Sequence, residues 1–248
     1  MKVSLAGLIK SAPKADLFVA GYFKGSKDLK ALKKIDPVFA RAAEAAISKK
    51  RFEGKTGEVF SSYQTGYRQA PEMLLLGLGE KKDFKITSLR KSVGTLIGLA
   101  SSRKSVKVRV FLDSLLSEAI PAEEIAKVLT EISFLASYKF TQYKTKKKDD
   151  LTKAPGSVEL VTEMKELLPS FRAAMVRSEK IAKAVILARD LNNEPGNVMN
   201  PPRLATEAEK IAADKKLKYQ VFGLTELKEK GMNGILAVNQ GSPTPPAA

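Results

Sequence analysis

The chain has 248 residues, 44% of them hydrophobic and 28% charged, a balance that permits a buried core, and no apolar run reaches the roughly 18 to 20 residues of a membrane-spanning helix. It has neither Cys nor His, which excludes disulfides, thiolate and imidazole metal sites, cysteine nucleophiles and every His-dependent triad. The formal charge of +16 attracts polyanions, but no aromatic-basic interleaving of the RNA-reading kind accompanies it, so a solvated, lysine-rich surface is the simpler expectation.

The amino terminus, MKVSLAGLIKSAPKAD, has too short an apolar stretch for a secretory signal, so a cytoplasmic protein is expected. Residues 16–23 (DLFVAGYF) are β-prone. Residues 37–50 open on a proline suited to a first helical position and continue as an alanine-rich helix. A strand is expected over 58–64. The run MLLLGLG at 73–79 has no polar face, as in a strand covered on both sides. A helix over 87–102, an alternating strand over 106–112 (VKVRVFL) and an amphipathic helix over 121–138 with acids in its first turn follow. The polar stretch 144–154 (KTKKKDDLTKA) carries no hydrophobic periodicity and marks a boundary, with one more strand at 157–161.

Beyond it, Ala174, Ser178, Ile181, Val185 and Ala188 recur at spacings of three or four, which predicts a single helix over 170–191 with a small, apolar stripe. The loop 192–202, rich in Asn, Pro and Gly, leads to a helix over 203–214, a strand over 217–222, a helix over 225–230 and a strand over 234–238. Strands alternating with helices predict an α/β fold.

Several residue groups invite a chemical reading. Gly54-Lys55-Thr56 lacks the first glycine of a phosphate-binding loop, because Lys49 occupies that position; a turn before the next strand explains it better. Gly77-Leu78-Gly79, followed by Lys81 and Lys82, lacks the rest of a dinucleotide fingerprint and reads as glycines turning the chain out of a buried strand. Lys144, Lys146, Lys147 and Lys148 form the densest basic cluster, just after Tyr138, Phe140 and Tyr143. Contact with nucleic acid phosphates is one reading and a solvated linker the simpler one, with Tyr138 in the core. Glu194, Glu207, Glu209, Asp214, Glu226 and Glu229 are scattered among lysines on predicted helices, and none is assigned to a metal.

Five segments carry a family likeness, in order: EGKTGEVF (53–60), MLLLGLGEKKDF (73–84), ASYKFTQYKTKKK (136–148), ARDLNNEPGNVMNPPRLA (188–205) and GMNGILAVNQGS (231–242). Together they resemble the leucyl, or cytosol-type, aminopeptidases. The resemblance implies a macro-domain-like three-layer amino-terminal α/β domain (1–165), a linker helix (166–190) and the incomplete beginning of an α/β catalytic domain (191–248). It also implies an enzyme that removes amino-terminal residues from peptides with two divalent ions, Mn or Zn, and that assembles as a hexamer. That chemistry needs neither His nor Cys.

The family's ligands and catalytic residues lie in a glycine-rich Lys motif and in FDSGG-, DMGGA- and NTDAEGR-like segments, which have no matching position among residues 1–248. No catalytic, cofactor-binding or metal residue is therefore carried over. The expectation is that this chain alone binds no metal and is inactive, with no membrane partner. The competing expectation is a basic DNA-binding or oligomer-assembly module without peptidase activity.

Overall fold

The computed structural model describes residues 1–8, 15–26, 29–63, 70–145 and 154–247. They divide into two compact units, Met1–Ile186 and Leu187–Ala248.

The first unit is built on a six-stranded sheet. Its strands are β1 (Lys2–Gly7), β2 (Leu17–Lys24), β3 (Val59–Tyr63), β4 (Glu72–Glu80), β5 (Lys107–Phe111) and β6 (Ser157–Thr162), arranged in the order β1-β6-β5-β2-β4-β3. Every neighbouring pair is parallel except β3 with β4. Parallel strands need crossovers, and helices supply them on both faces. Helices α1 (Lys30–Ile35) and α2 (Pro37–Ser48) put Leu32, Ile35, Phe39 and Ala43 against Phe18, Ala20, Met73 and Leu75. On the other face, α3 (Ile86–Ser102) and α4 (Ala122–Ser137) pack Val93, Leu96, Ile125 and Leu129 against Leu17, Val19, Leu74 and Leu76. Successive residues of β2 and β4 thus enter opposite cores, which is why neither strand has a polar face.

Two elements escaped sequence reading. The edge strand β1 lies in a segment read only for its lack of a leader, and its pairing with β6 is a contact made across the length of the unit. The six-residue helix α1 is too short to show a period. The alternation in β5 also conceals something: Arg109 is 1% exposed, because the face it occupies is covered. Its guanidinium meets the Glu159 carboxylate at 2.6 Å from Nη2 and 2.8 Å from Nε. Burying that charge is tolerable only with such a partner.

The glycines of β4 also do more than the sequence indicates. The strand runs on through Gly77 and Gly79 to Glu80, so Gly77 does not turn the chain out of the sheet. The turn 54–57 is clasped onto this stretch instead. The Gly79 N–H donates to the Gly54 carbonyl (2.9 Å), the Gly57 N–H to the Gly77 carbonyl (3.0 Å) and the Gly77 N–H to the Glu58 carbonyl (2.7 Å). A Cβ on Gly77 would lie 2.1 Å from the Lys55 carbonyl oxygen, and Gly79 sits at φ +83°. Across from them the β2–β4 ladder skips Leu78.

In the second unit, α5 (Leu168–Asn193), which begins in the first, is followed by α6 (Pro201–Lys215), α7 (Leu224–Glu229) and α8 (Asn233–Asn239). Two strand expectations fail here. Residues 217–222 have no regular structure, because the described residues of this unit include no strand with which to form a ladder. Residues 234–238 belong to helix α8. Gly231, at φ +63°, ends α7, the Met232 N–H closes back on the Leu227 carbonyl (2.9 Å), and the chain re-enters a helix at once. A five-residue apolar run cannot be told from a helix segment by its pattern.

Substituting Gly77→Ala is expected to lower unfolding free energy by about 1–3 kcal/mol through overpacking. The control Gly94→Ala, on α3 with open space where its Cβ would stand, should instead leave stability unchanged or raise it by up to about 1 kcal/mol. Urea midpoints of the two variants test this; a Gly77→Ala protein as stable as the parent would refute the close approach.

Candidate functional site

In an open α/β sheet the chain can leave adjacent parallel strands in opposite directions, and the loops then part to form a crevice at the carboxyl ends of those strands. Here the reversal falls between β2 and β5. From β2 the chain passes through α1 and α2 on one face toward β3 and β4, whereas from β5 it passes through α4 on the other face to β6. A crevice of about 180 Å³ lies at that point.

The floor of the crevice is braced by its own hydrogen bonds. The Gly21 N–H donates to Ser114 Oγ (2.7 Å), and that hydroxyl donates to the Phe111 carbonyl (2.6 Å). A side chain at Gly21 would meet the Ser114 carbonyl and a Leu78 methyl, each at 2.9 Å. Asp113 accepts the Thr162 hydroxyl on one carboxylate oxygen and the Glu163 N–H on the other (2.8 Å). Tyr22 donates its hydroxyl to the Ser26 carbonyl (2.6 Å), and its ring stands 5.5 Å from that of Phe52. Leu32, Leu75 and Phe111 supply apolar wall. No signal in the sequence marked this place, because a switch point depends on strand order.

Burial raises the Tyr22 phenol above its ordinary value of 10.0. The folded state therefore favours the neutral phenol. The stability this contributes is complete below about pH 10 and is lost as pH rises through the folded value. Tyr22→Phe should cost about 1 kcal/mol at neutral pH by removing one buried hydrogen bond, and the gap to the parent should narrow above pH 10. Denaturant titrations at pH 7 and about pH 11 check this; a gap independent of pH would contradict it.

The residue groups singled out by sequence do not gather into a second site. Glu58, not a phosphate, occupies the 54–56 turn: its carboxylate accepts the Glu53 N–H (3.1 Å) and the Lys55 N–H (2.9 Å). Lys82 pairs with Glu80 at 3.2 Å. Of the basic cluster, Lys144 is exposed, while Lys146, Lys147 and Lys148 lie outside the described residues. Tyr138 is half-buried at the end of α4, and Phe140 and Tyr143 form a tilted pair at 5.9 Å.

The acids of the second unit are dispersed. Glu207 meets Lys210 at 2.8 Å and Arg203 at 2.9 Å, and the bond from Lys210 in particular holds its carboxyl below the usual range. Glu226 accepts the Gly223 N–H at 2.8 Å, and Asp214 meets Lys215 at 2.5 Å. Among the described residues no three Asp, Glu, His or Cys side chains come together in a group able to hold a metal ion. No described helix is long and apolar enough to cross a membrane.

The loop between α5 and α6 is a turn stapled by the Val198 and Met199 N–H groups, both donating to the Pro195 carbonyl (2.8 and 2.9 Å). Asn200 then caps α6 by accepting the Arg203 N–H (3.1 Å), with Pro201 and Pro202 in the first turn, where their missing N–H groups cost nothing.

The first unit is thus a mostly parallel, doubly covered α/β domain, and a long helix continues from it into a second, helical unit. Family models match both parts: the cytosol aminopeptidase family N-terminal domain over residues 19–147 and the catalytic domain of that family over 186–248. The chain belongs to the cytosol aminopeptidase family. Two similar proteins are the probable cytosol aminopeptidases of Alkaliphilus oremlandii (32% identity over 235 residues, 94% of this chain and 46% of the relative) and Syntrophotalea carbinolica (31% over 237 residues, 94% and 47%). The chain therefore spans about half the length of these relatives.

Among solved structures, a mutant of tomato leucine aminopeptidase superposes with a TM-score of 0.79 at 20% identity, over 100% of this chain and 49% of that one. The bottromycin maturation enzyme BotP in complex with Mn gives 0.71 at 23%, over 94% and 44%. At such identities the likeness concerns the fold.

Proposed function

We propose that this chain is the amino-terminal portion of a leucyl-type metalloaminopeptidase whose intact form releases amino-terminal residues from peptides in the cytoplasm. On this reading residues 1–165 form a macro-like domain, 166–190 a linker helix and 191–248 the start of the catalytic domain. The observation that carries it is the match of two consecutive domains of one family along a single chain, over 19–147 and 186–248. In the intact enzyme, two divalent ions, Mn or Zn, would acidify a water and polarise the scissile carbonyl. A structural neighbour solved in complex with Mn supports metal dependence; the assembly proposed is a homo-oligomer, a hexamer.

The described residues do not fit such a metal centre, since no carboxylate cluster forms among them. The packing of the second unit supports the same division. Among its described residues Ala212, Leu227 and Pro246 are buried, whereas Leu204, Leu217, Leu224 and Val238 are exposed. Even complete domains near 60 residues bury only about 60% of their unfolded surface, and this unit buries few large side chains of its own, as expected of part of a larger domain.

Purified residues 1–248, incubated with leucine p-nitroanilide and Mn²⁺ or Zn²⁺, are expected to release no nitroaniline above the buffer rate. Metal-dependent release abolished by a chelator would show that the chain carries its own catalytic groups and overturn this assignment.

A further inference from the structure

We propose that the switch-point crevice between β2 and β5 is a binding site for a small organic amine: one ammonium group on an apolar body no larger than a single ring. Size excludes the larger ligands. At about 180 Å³ the crevice lies close to the ~150 Å³ of an apolar cavity that holds benzene, and below the roughly 300–1,000 Å³ of sites that enclose drug-sized ligands. A dinucleotide or a peptide does not fit within it.

Charge selects among the small molecules. Among the described residues the lining includes one carboxylate, Asp113, and no Lys or Arg, in a protein whose overall charge is +16. Each Asp113 oxygen holds one donor, from Thr162 and from Glu163, which fixes the carboxylate in place and leaves lone pairs for a further donor. The donors of Gly21, Tyr22 and Ser114 noted above are already spent on protein acceptors, so an incoming anion finds none of these three free. Ala20, Leu29, Leu32, Leu75 and Phe111 supply the apolar surface that would cover a ring. At its floor, Gly21 has no room for even a methyl group.

The test uses amide-resolved NMR of ¹⁵N-labelled residues 1–248 titrated separately with benzylamine, benzyl alcohol and benzoate. Benzylamine should give saturable shifts centred on Gly21, Tyr22 and Ser114. Benzyl alcohol should bind at least tenfold more weakly, and benzoate should give no saturable shift there. Asp113→Asn should reduce benzylamine affinity tenfold or more. Because that change also disturbs the Thr162 and Glu163 bonds, Ala31→Trp serves as a second variant: Ala31 is an exposed lining residue, so a bulky side chain fills the mouth without entering the core. It should abolish the shifts while leaving the remaining amide spectrum unchanged. Benzoate binding as tightly as benzylamine, benzylamine shifts that persist in Ala31→Trp, or no saturable shift with any probe would each overturn the proposal. None of these outcomes depends on peptidase activity.

Discussion

Strand β2 must be apolar at nearly every position, because helices cover both its faces and strands flank both its edges. Leu17, Phe18 and Val19 are fully buried, and each turns toward a different core from its neighbour in sequence. At roughly 1.5–3 kcal/mol for each large side chain taken out of water, this one strand helps anchor two hydrophobic clusters at once. The chain then departs from β2 and from β5 on opposite faces, and the crevice at their ends is the geometric consequence.

Two local devices allow strands so tightly enclosed to coexist with polar groups. Arg109 lies fully within a covered face, and its charge is tolerated because Glu159 on the adjacent strand meets it in two contacts. Gly77 and Gly79 give up side chains so that the 54–57 turn can lie directly on β4 and satisfy its backbone there. Both features read differently along the chain, as an ordinary alternating strand and as the end of a strand, because each depends on what the facing element does.

The two units differ in how well local pattern foretells their elements, and the reason is where each element finds its backbone hydrogen-bond partners. In the first unit the expected strands at 16–23, 73–79, 106–112 and 157–161 all appear, since each finds a neighbour with which to form a ladder. In the second unit the expected helices at 203–214 and 225–230 appear, because helices satisfy their backbone internally, whereas the expected strand at 217–222 does not form. The structure thus separates the kind of element that can stand on local bonds from the kind that needs a partner.

Local pattern was enough for the α/β class of the first unit, the long helix near residues 170–191 and the family, because periodicity, capping residues and the 188–205 and 231–242 segments are properties of neighbouring residues. The absence of His and Cys likewise excluded whole classes of chemistry without any coordinates. The order of the strands, the burial of Arg109 against Glu159, the close contact at Gly77 and the crevice lined by Gly21, Asp113 and Ser114 all came from packing in three dimensions. Each of these joins residues far apart in the chain, and such pairings are fixed by packing, not by local pattern.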